Sequence, residues 1–164
     1  MKVKNYWTKL ITLVIASVVG TINAEAQSNN LSLNVISPWN FIINDASKLE
    51  TAQVITNAFR LSVFTKTSSC SVLARISNYT APVGFFPTSN PIAIDFTSTT
   101  CPTSKYSNLL TQPVTLSGTN QLLFKQAKID ATYFYYYNLN LEALGYDYIP
   151  GNYTWDITFT MTQP

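Results

Sequence analysis

The sequence predicts an all-β protein, an antiparallel immunoglobulin-like β-sandwich of about 7–9 strands with one disulfide. Large apolar residues alternate with polar ones in short runs, which is typical of strands that bury one face. Proline, glycine and asparagine separate these runs. Only 11% of the 164 residues are charged, while serine, threonine and asparagine are abundant. This composition favours an extracellular β-protein over a cytosolic helical one.

A leader segment precedes the predicted domain. Several lysines in the first nine residues are followed by an apolar run over 10–20 and by the small-x-small tripeptide AEA, which ends at Ala26. This three-part layout predicts a signal peptide, and the run is shorter than the roughly 20 residues that a membrane span needs. We expect residues 1–26 to be removed. Residues 27–164 would then form one β-sandwich domain without a transmembrane span, which is secreted, periplasmic or held at the cell surface.

The strands are predicted from period-two alternation, and each run is short and bounded by turn residues. In chain order the runs cover residues 31–35, 59–64, 72–76, 92–96, 114–116, 121–125, 133–141 and 153–161. Between the last two, Pro150-Gly151 predicts a type II turn, in which glycine supplies a positive φ. Only residues 45–54 carry a helical pattern, with Asp45 as the cap of a short helix; a loop is the favoured alternative there.

Two cysteines, Cys70 and Cys101, fall in the predicted exported part. A pair of cysteines in an exported chain predicts one disulfide. The bond would close a loop of about 31 residues and stabilise the fold by roughly 3–4 kcal/mol on the chain-entropy view.

Nothing in the composition indicates catalysis or a cofactor. The chain has no histidine, so the usual general base and metal ligand is missing. The seven carboxylates that follow Ala26 show no spacing that singles out a catalytic pair. Seven lysines and arginines balance them, so no clustered positive charge suggests nucleic acid. We therefore predict no catalytic residue, no cofactor, no metal and no nucleic-acid partner.

Aromatic residues concentrate in 132–155, and two interpretations of them are open. Tyr135, Tyr137, Tyr153 and Trp155 fit a core between two sheets. The residues between them would then lie on the other face. If that face is exposed, it forms a strip of aromatic and amide groups that stacks on sugar rings or docks a partner. The candidate binding strip consists of Phe134 and Tyr136 on that face, extended by Tyr146 and Tyr148 in the loop before the last run.

The last run has the cleanest alternation in the chain. Its apolar positions are Tyr153, Trp155, Ile157, Phe159 and Met161, and polar residues separate them. A terminal strand can lie at a sheet edge, where unpaired backbone groups accept another chain. We consider these five residues a candidate assembly strand; ordinary pairing within the domain is the alternative.

The stretch "IPGNYTWDITFTMT" resembles the closing hairpin of small bacterial secreted β-sandwiches, the spore-coat-U-like and WxL-like surface domains. The matching residues are Pro150, Gly151, Tyr153, Ile157 and Phe159, with threonines between them. The resemblance implies a surface-exposed, non-enzymatic protein with a pilus-like or cell-wall-associated role.

These observations predict a non-enzymatic bacterial surface protein. We expect a structural or adhesive subunit, of pilus, coat or adhesin type, that acts through strand-edge and aromatic contacts with copies of itself or with other surface subunits. The alternative is a carbohydrate-binding module that uses the aromatic strip to bind glycans.

Overall fold

The computed structural model describes residues 11–14, 29–83, 90–146 and 148–164, of which 11–14 are described by their backbone alone. These residues form eleven strands, one short α-helix and one 3₁₀ turn. The strands are β1 (Ile11–Val14), β2 (Asn30–Val35), β3 (Asn40–Ile43), β4 (Gln53–Thr65), β5 (Cys70–Thr80), β6 (Ile92–Thr99), β7 (Tyr106–Ser107), β8 (Val114–Thr115), β9 (Gln121–Gln126), β10 (Ala131–Leu141) and β11 (Tyr153–Thr162).

The strands build two sheets. Sheet 1 has the order β3-β1-β11-β5-β9-β7, and sheet 2 has the order β2-β4-β10-β6-β8. Neighbouring strands are antiparallel, with the exception of β1, which runs parallel to β11. The prediction of an antiparallel β-sandwich is confirmed. The described strands outnumber the predicted 7–9 because β1, β3 and β7, which no predicted run covers, have only two to four residues each, too few to show a period.

The core lies between the two sheets and is rich in aromatic rings. Tyr135 stacks on Phe124 with ring centroids 3.8 Å apart, and Tyr137 stacks on Phe59 at 5.2 Å. Because β-strands alternate their faces, the intervening residues of the same strands point outward. The four aromatic residues predicted to lie in the core, namely Tyr135, Tyr137, Tyr153 and Trp155, are all buried.

Two local predictions need correction. The loop favoured at 45–54 is wrong, because residues 47–50 form a short helix, α1 (Ser47–Glu50), with Ala46 and not Asp45 at the N-cap position. The Lys48 N–H donates to the Asp45 carboxylate at 3.1 Å, and β4 begins at Gln53. Gly151 does not have the positive φ of a type II turn; among the described glycines only Gly145 does. The role of Gly151 is spatial instead, because a Cβ there would overlap the Pro82 ring.

Among the described residues, no helix is long and apolar enough to cross a membrane.

Candidate functional site

Among the described strands, β11, the strand predicted for assembly, has a long partner on one side and only a two-residue partner on the other. On that side β5 pairs with it from Thr154 to Thr162. On the other side β1 reaches only Tyr153 and Thr154. Within the part of the chain that the structure describes, no strand pairs with β11 beyond Thr154 on this side. We call the sheet edge at residues 155–162 open in the sense that no described strand pairs with it.

The direction of the backbone groups along this edge follows from the neighbouring strand. Ile157 is the register partner of Ile76. The Ile76 N–H donates to the Ser117 carbonyl at 2.8 Å, which lies towards β9 and away from β11. Paired residues of an antiparallel ladder direct their N–H and C=O groups alike, alternately toward and away from each other. The N–H and C=O of Ile157 therefore point to the open side, and by the same alternation so do those of Phe159 and Met161.

Burial along the inward face of β11 decreases after Ile157. Tyr153, Trp155 and Ile157 are each 1% exposed. Phe159 and Met161 continue the same inward-facing row but are only half-buried. The inward face of β11 is thus covered at its beginning and incompletely covered at its end.

Opposite this incompletely covered end of β11 lies β2, the edge strand of sheet 2, which contacts β11 across the sandwich. Its Leu31 and Leu33 are half-buried against the core. Leu31, Leu33, Phe159 and Met161 together form what we term the open margin. Its apolar floor and its backbone edge are the two features that an added β-strand uses.

The aromatic strip separates into two pairs. Phe134 and Tyr136 lie half-buried on the outer face of β10, near the middle of sheet 2. Tyr146 and Tyr148 lie in the loop that joins β10 to β11, where Tyr148 packs against Tyr153 with ring centroids 5.5 Å apart. Tyr136 is five residues before the end of β10, or roughly 17 Å along a strand. Between this pair and the loop pair lies about half the length of β10.

Other groups already engage the outer face of β10. The Arg60 guanidinium lies over the Phe134 ring, 4.7 Å from its centroid. The Asn138 amide oxygen accepts the Asn57 N–H at 2.9 Å, where the pairing of β10 with β4 shifts register. Asn57 has a φ of 48°, so Asn138 supports an irregular backbone there. These contacts reduce the polar and aromatic surface that remains for a ligand.

The cysteines are both buried, at 2% and 5% exposure for Cys70 and Cys101. They are free thiols in the structure, which differs from the predicted disulfide. The Cys101 thiol is hydrogen-bonded to the Tyr135 hydroxyl, and both thiols lie near enough to Tyr135 to raise the pKa of its hydroxyl, although burial is the largest cause. Burial also raises the pKa of Cys70 to about 11 and raises the pKa of Cys101.

A shallow crevice of about 420 Å³ opens beside Cys70, between β5, β7, β9 and the last residues of the chain. Lys105 and Lys125 line it with several serine hydroxyls, and no carboxylate side chain is among its lining residues. Across the described ranges, no group of three His, Cys, Asp or Glu residues is arranged to hold a metal ion.

No protein-family model and no curated protein matches this chain. The site therefore rests on its own geometry. Sequence alternation identified β11 but missed the role of Leu31 and Leu33, whose run is like any other short strand. Their signal is spatial, since it depends on β2 being the edge strand of the opposite sheet.

Proposed function

We propose that this protein is an exported, non-enzymatic structural or adhesive subunit of a bacterial surface assembly. It binds a partner chain by strand addition at β11. The observation that carries the proposal is the open edge at 155–162, which coincides with the half-buried apolar residues of the open margin. A partner strand would satisfy the backbone groups and cover the margin, so one contact meets both needs.

The order of six of the strands supports the proposal. In an immunoglobulin-like sandwich one sheet has the order A-B-E-D and the other C-F-G. Taken in chain order as A to F, the strands β2, β4, β5, β6, β10 and β11 give A-B-E-D in sheet 2 and the C-F pair in sheet 1. The place of strand G, beside β11, is the open side. We infer an immunoglobulin-like sandwich in which the described residues leave the place of strand G unfilled along 155–162, with β9 as an addition beside β5.

A substitution in the open margin tests the proposal. Met161→Glu places a charge where the partner strand would pack, so we expect the exported protein to lose its higher-order assemblies and remain a monomer. Thr160→Glu is the matched control, because Thr160 neighbours Met161 and lies on the opposite face of β11. Size-exclusion chromatography and electron microscopy measure assembly, and circular dichroism verifies the fold.

Two results would contradict strand addition at the margin. One is wild-type protein that is recovered from the bacterial surface with no bound chain, neither another protein nor a second copy. The other is a Met161→Glu variant that assembles as the wild type does while Thr160→Glu does not.

A carbohydrate-binding module is the alternative, and the partial exposure of Tyr136 and the 60% exposure of Tyr146 favour it. A glycan array distinguishes the two functions. Specific sugar binding that is lost in Tyr136→Ala and in Tyr146→Ala would support the module. Strand addition predicts that both variants assemble normally.

We further propose that Cys70 and Cys101 join in a disulfide in the exported protein. The two thiols lie close to one hydroxyl, that of Tyr135, and both are shielded from solvent. Oxidation removes two protons and two electrons, which a thiol oxidant of the export compartment accepts. The bond would tie the start of β5 in sheet 1 to the segment that follows β6 in sheet 2.

A further inference from the structure

In sheet 1 the strand β1 lies between β3 and β11 and is the one described strand that joins them. It pairs with β3 from Ile11↔Ile43 to Val14↔Asn40, and with β11 at Leu13↔Tyr153 and Val14↔Thr154. Among the described strands, β3 has no partner except β1. Without β1, two backbone edges would therefore face each other across a gap that fits a single strand.

This strand lies inside the segment 1–26 that the sequence predicts to be a leader. We propose that processing near Ala26 withdraws β1, and that a strand from a different protein then fills the gap between β3 and β11. The precursor thus carries a temporary occupant for its own partner site. The inference rests on the proposed function, because it names the partner of the same edge and the step that exposes it.

The geometry of β1 specifies the partner strand. It runs parallel to β11 and antiparallel to β3, and it forms ladders on both sides. The floor of the gap is apolar, because Phe41, Ile43 and Trp155 are buried in the core at 1–4% exposure. The partner segment is therefore extended and has apolar residues at alternate positions. It pairs first with β3 and reaches β11 at Tyr153. Continuing in the direction of β1, it would run along 155–162 and cover the open margin.

A second copy of this chain does not supply such a strand from its processed N-terminus. Cleavage after Ala26 leaves only Gln27 and Ser28 ahead of Asn29. Asn29 is 3% exposed and fixed: its amide oxygen accepts the N–H groups of Lys66 and Thr67, and its amide nitrogen donates to Ser68. Two residues ahead of this fixed position are too few for a strand, and the described strands that follow Ala26 are already paired within their own sheets. For these reasons we assign the strand to another protein.

Hydrogen exchange of the full precursor and of the processed chain tests the inference. We expect the amides of β3 that point towards β1, which are every second residue of Asn40–Ile43, to exchange at least tenfold faster once residues 1–26 are removed. Amides of the central strand β10 should stay unchanged. Adding a synthetic peptide of residues 9–17, KLITLVIAS, should restore slow exchange in β3. The control peptide carries Thr12→Pro and Leu13→Pro, which remove ladder N–H groups on both sides, and should have no effect.

Each outcome decides the matter. Equal exchange in the two forms, or equal protection by the proline peptide, would contradict the claim that processing exposes a one-strand gap between β3 and β11. Concentration-dependent protection of β3 in the processed chain alone would overturn the different-protein assignment, since a second copy would then be the occupant. Measured at a dilution where the processed chain is monomeric, the exchange difference does not depend on assembly, so it holds or fails separately from the Met161→Glu experiment.

Discussion

At the scale of single residues, Gly151 shows how one position sets a loop. It lies in the connection between β10 and β11, and its α-carbon faces the Pro82 ring in the segment that follows β5. Any side chain at Gly151 would displace this proline. The two loops can therefore pack together only because residue 151 lacks a Cβ.

We expect Gly151→Ala to lower the free energy of unfolding by about 1–3 kcal/mol, the usual range for an added methyl group in a tightly packed place. Gly118→Ala is the control, because nothing lies within 4 Å of its Cβ position, and it should change stability by less than about 1 kcal/mol. Urea denaturation measures both. If Pro82→Ala does not rescue Gly151→Ala, the contact is not the cause of the loss.

At the scale of secondary structure, alternation predicted the long strands well, because burial of one face imposes a period of two on the sequence. The strand β4 starts six residues earlier than its predicted run, at Gln53. The alternation breaks near Asn57, where a positive φ and a register shift interrupt the pairing with β10. A prediction from alternation starts the strand after such a break, whereas the strand's hydrogen bonding continues through it.

Contacts between distant strands were not predictable from the sequence. Arg60 covers Phe134 although 74 residues separate them, so the aromatic strip could not be assessed before the pairing of β4 with β10 was known. The open margin depends likewise on which strands lie at sheet edges. Sequence alternation therefore identified the assembly strand, and the topology determined which of its sides is open.

At the scale of the whole molecule, the two sheets are joined by the core and, in our proposal, by the bond between Cys70 and Cys101. In sheet 2 the strands β2, β4, β10 and β6 pair with one another without any strand from the predicted leader. Sheet 1 depends on a strand from the predicted leader for the link between β3 and β11. After processing, sheet 2 would keep its strands and sheet 1 would lose β1. A disulfide between the two sheets would stabilise the processed domain until a partner strand binds.

The proposed disulfide predicts a difference in alkaline stability between the oxidised and the reduced protein. In the reduced protein, burial raises the pKa of Cys70 to about 11, above its ordinary value of 9.0. Between pH 9 and 11 the unfolded chain therefore binds fewer protons than the folded one, and the free energy of unfolding falls as the pH rises. One thiol contributes at most about 1.4 kcal/mol per pH unit.

Oxidised protein lacks this contribution, so urea denaturation from pH 7.5 to 10 should show a smaller decline in the free energy of unfolding without reductant than with it. Intact mass spectrometry identifies the oxidised form by the loss of two hydrogens. Equal declines, together with an unoxidised mass in exported protein, would contradict the bond.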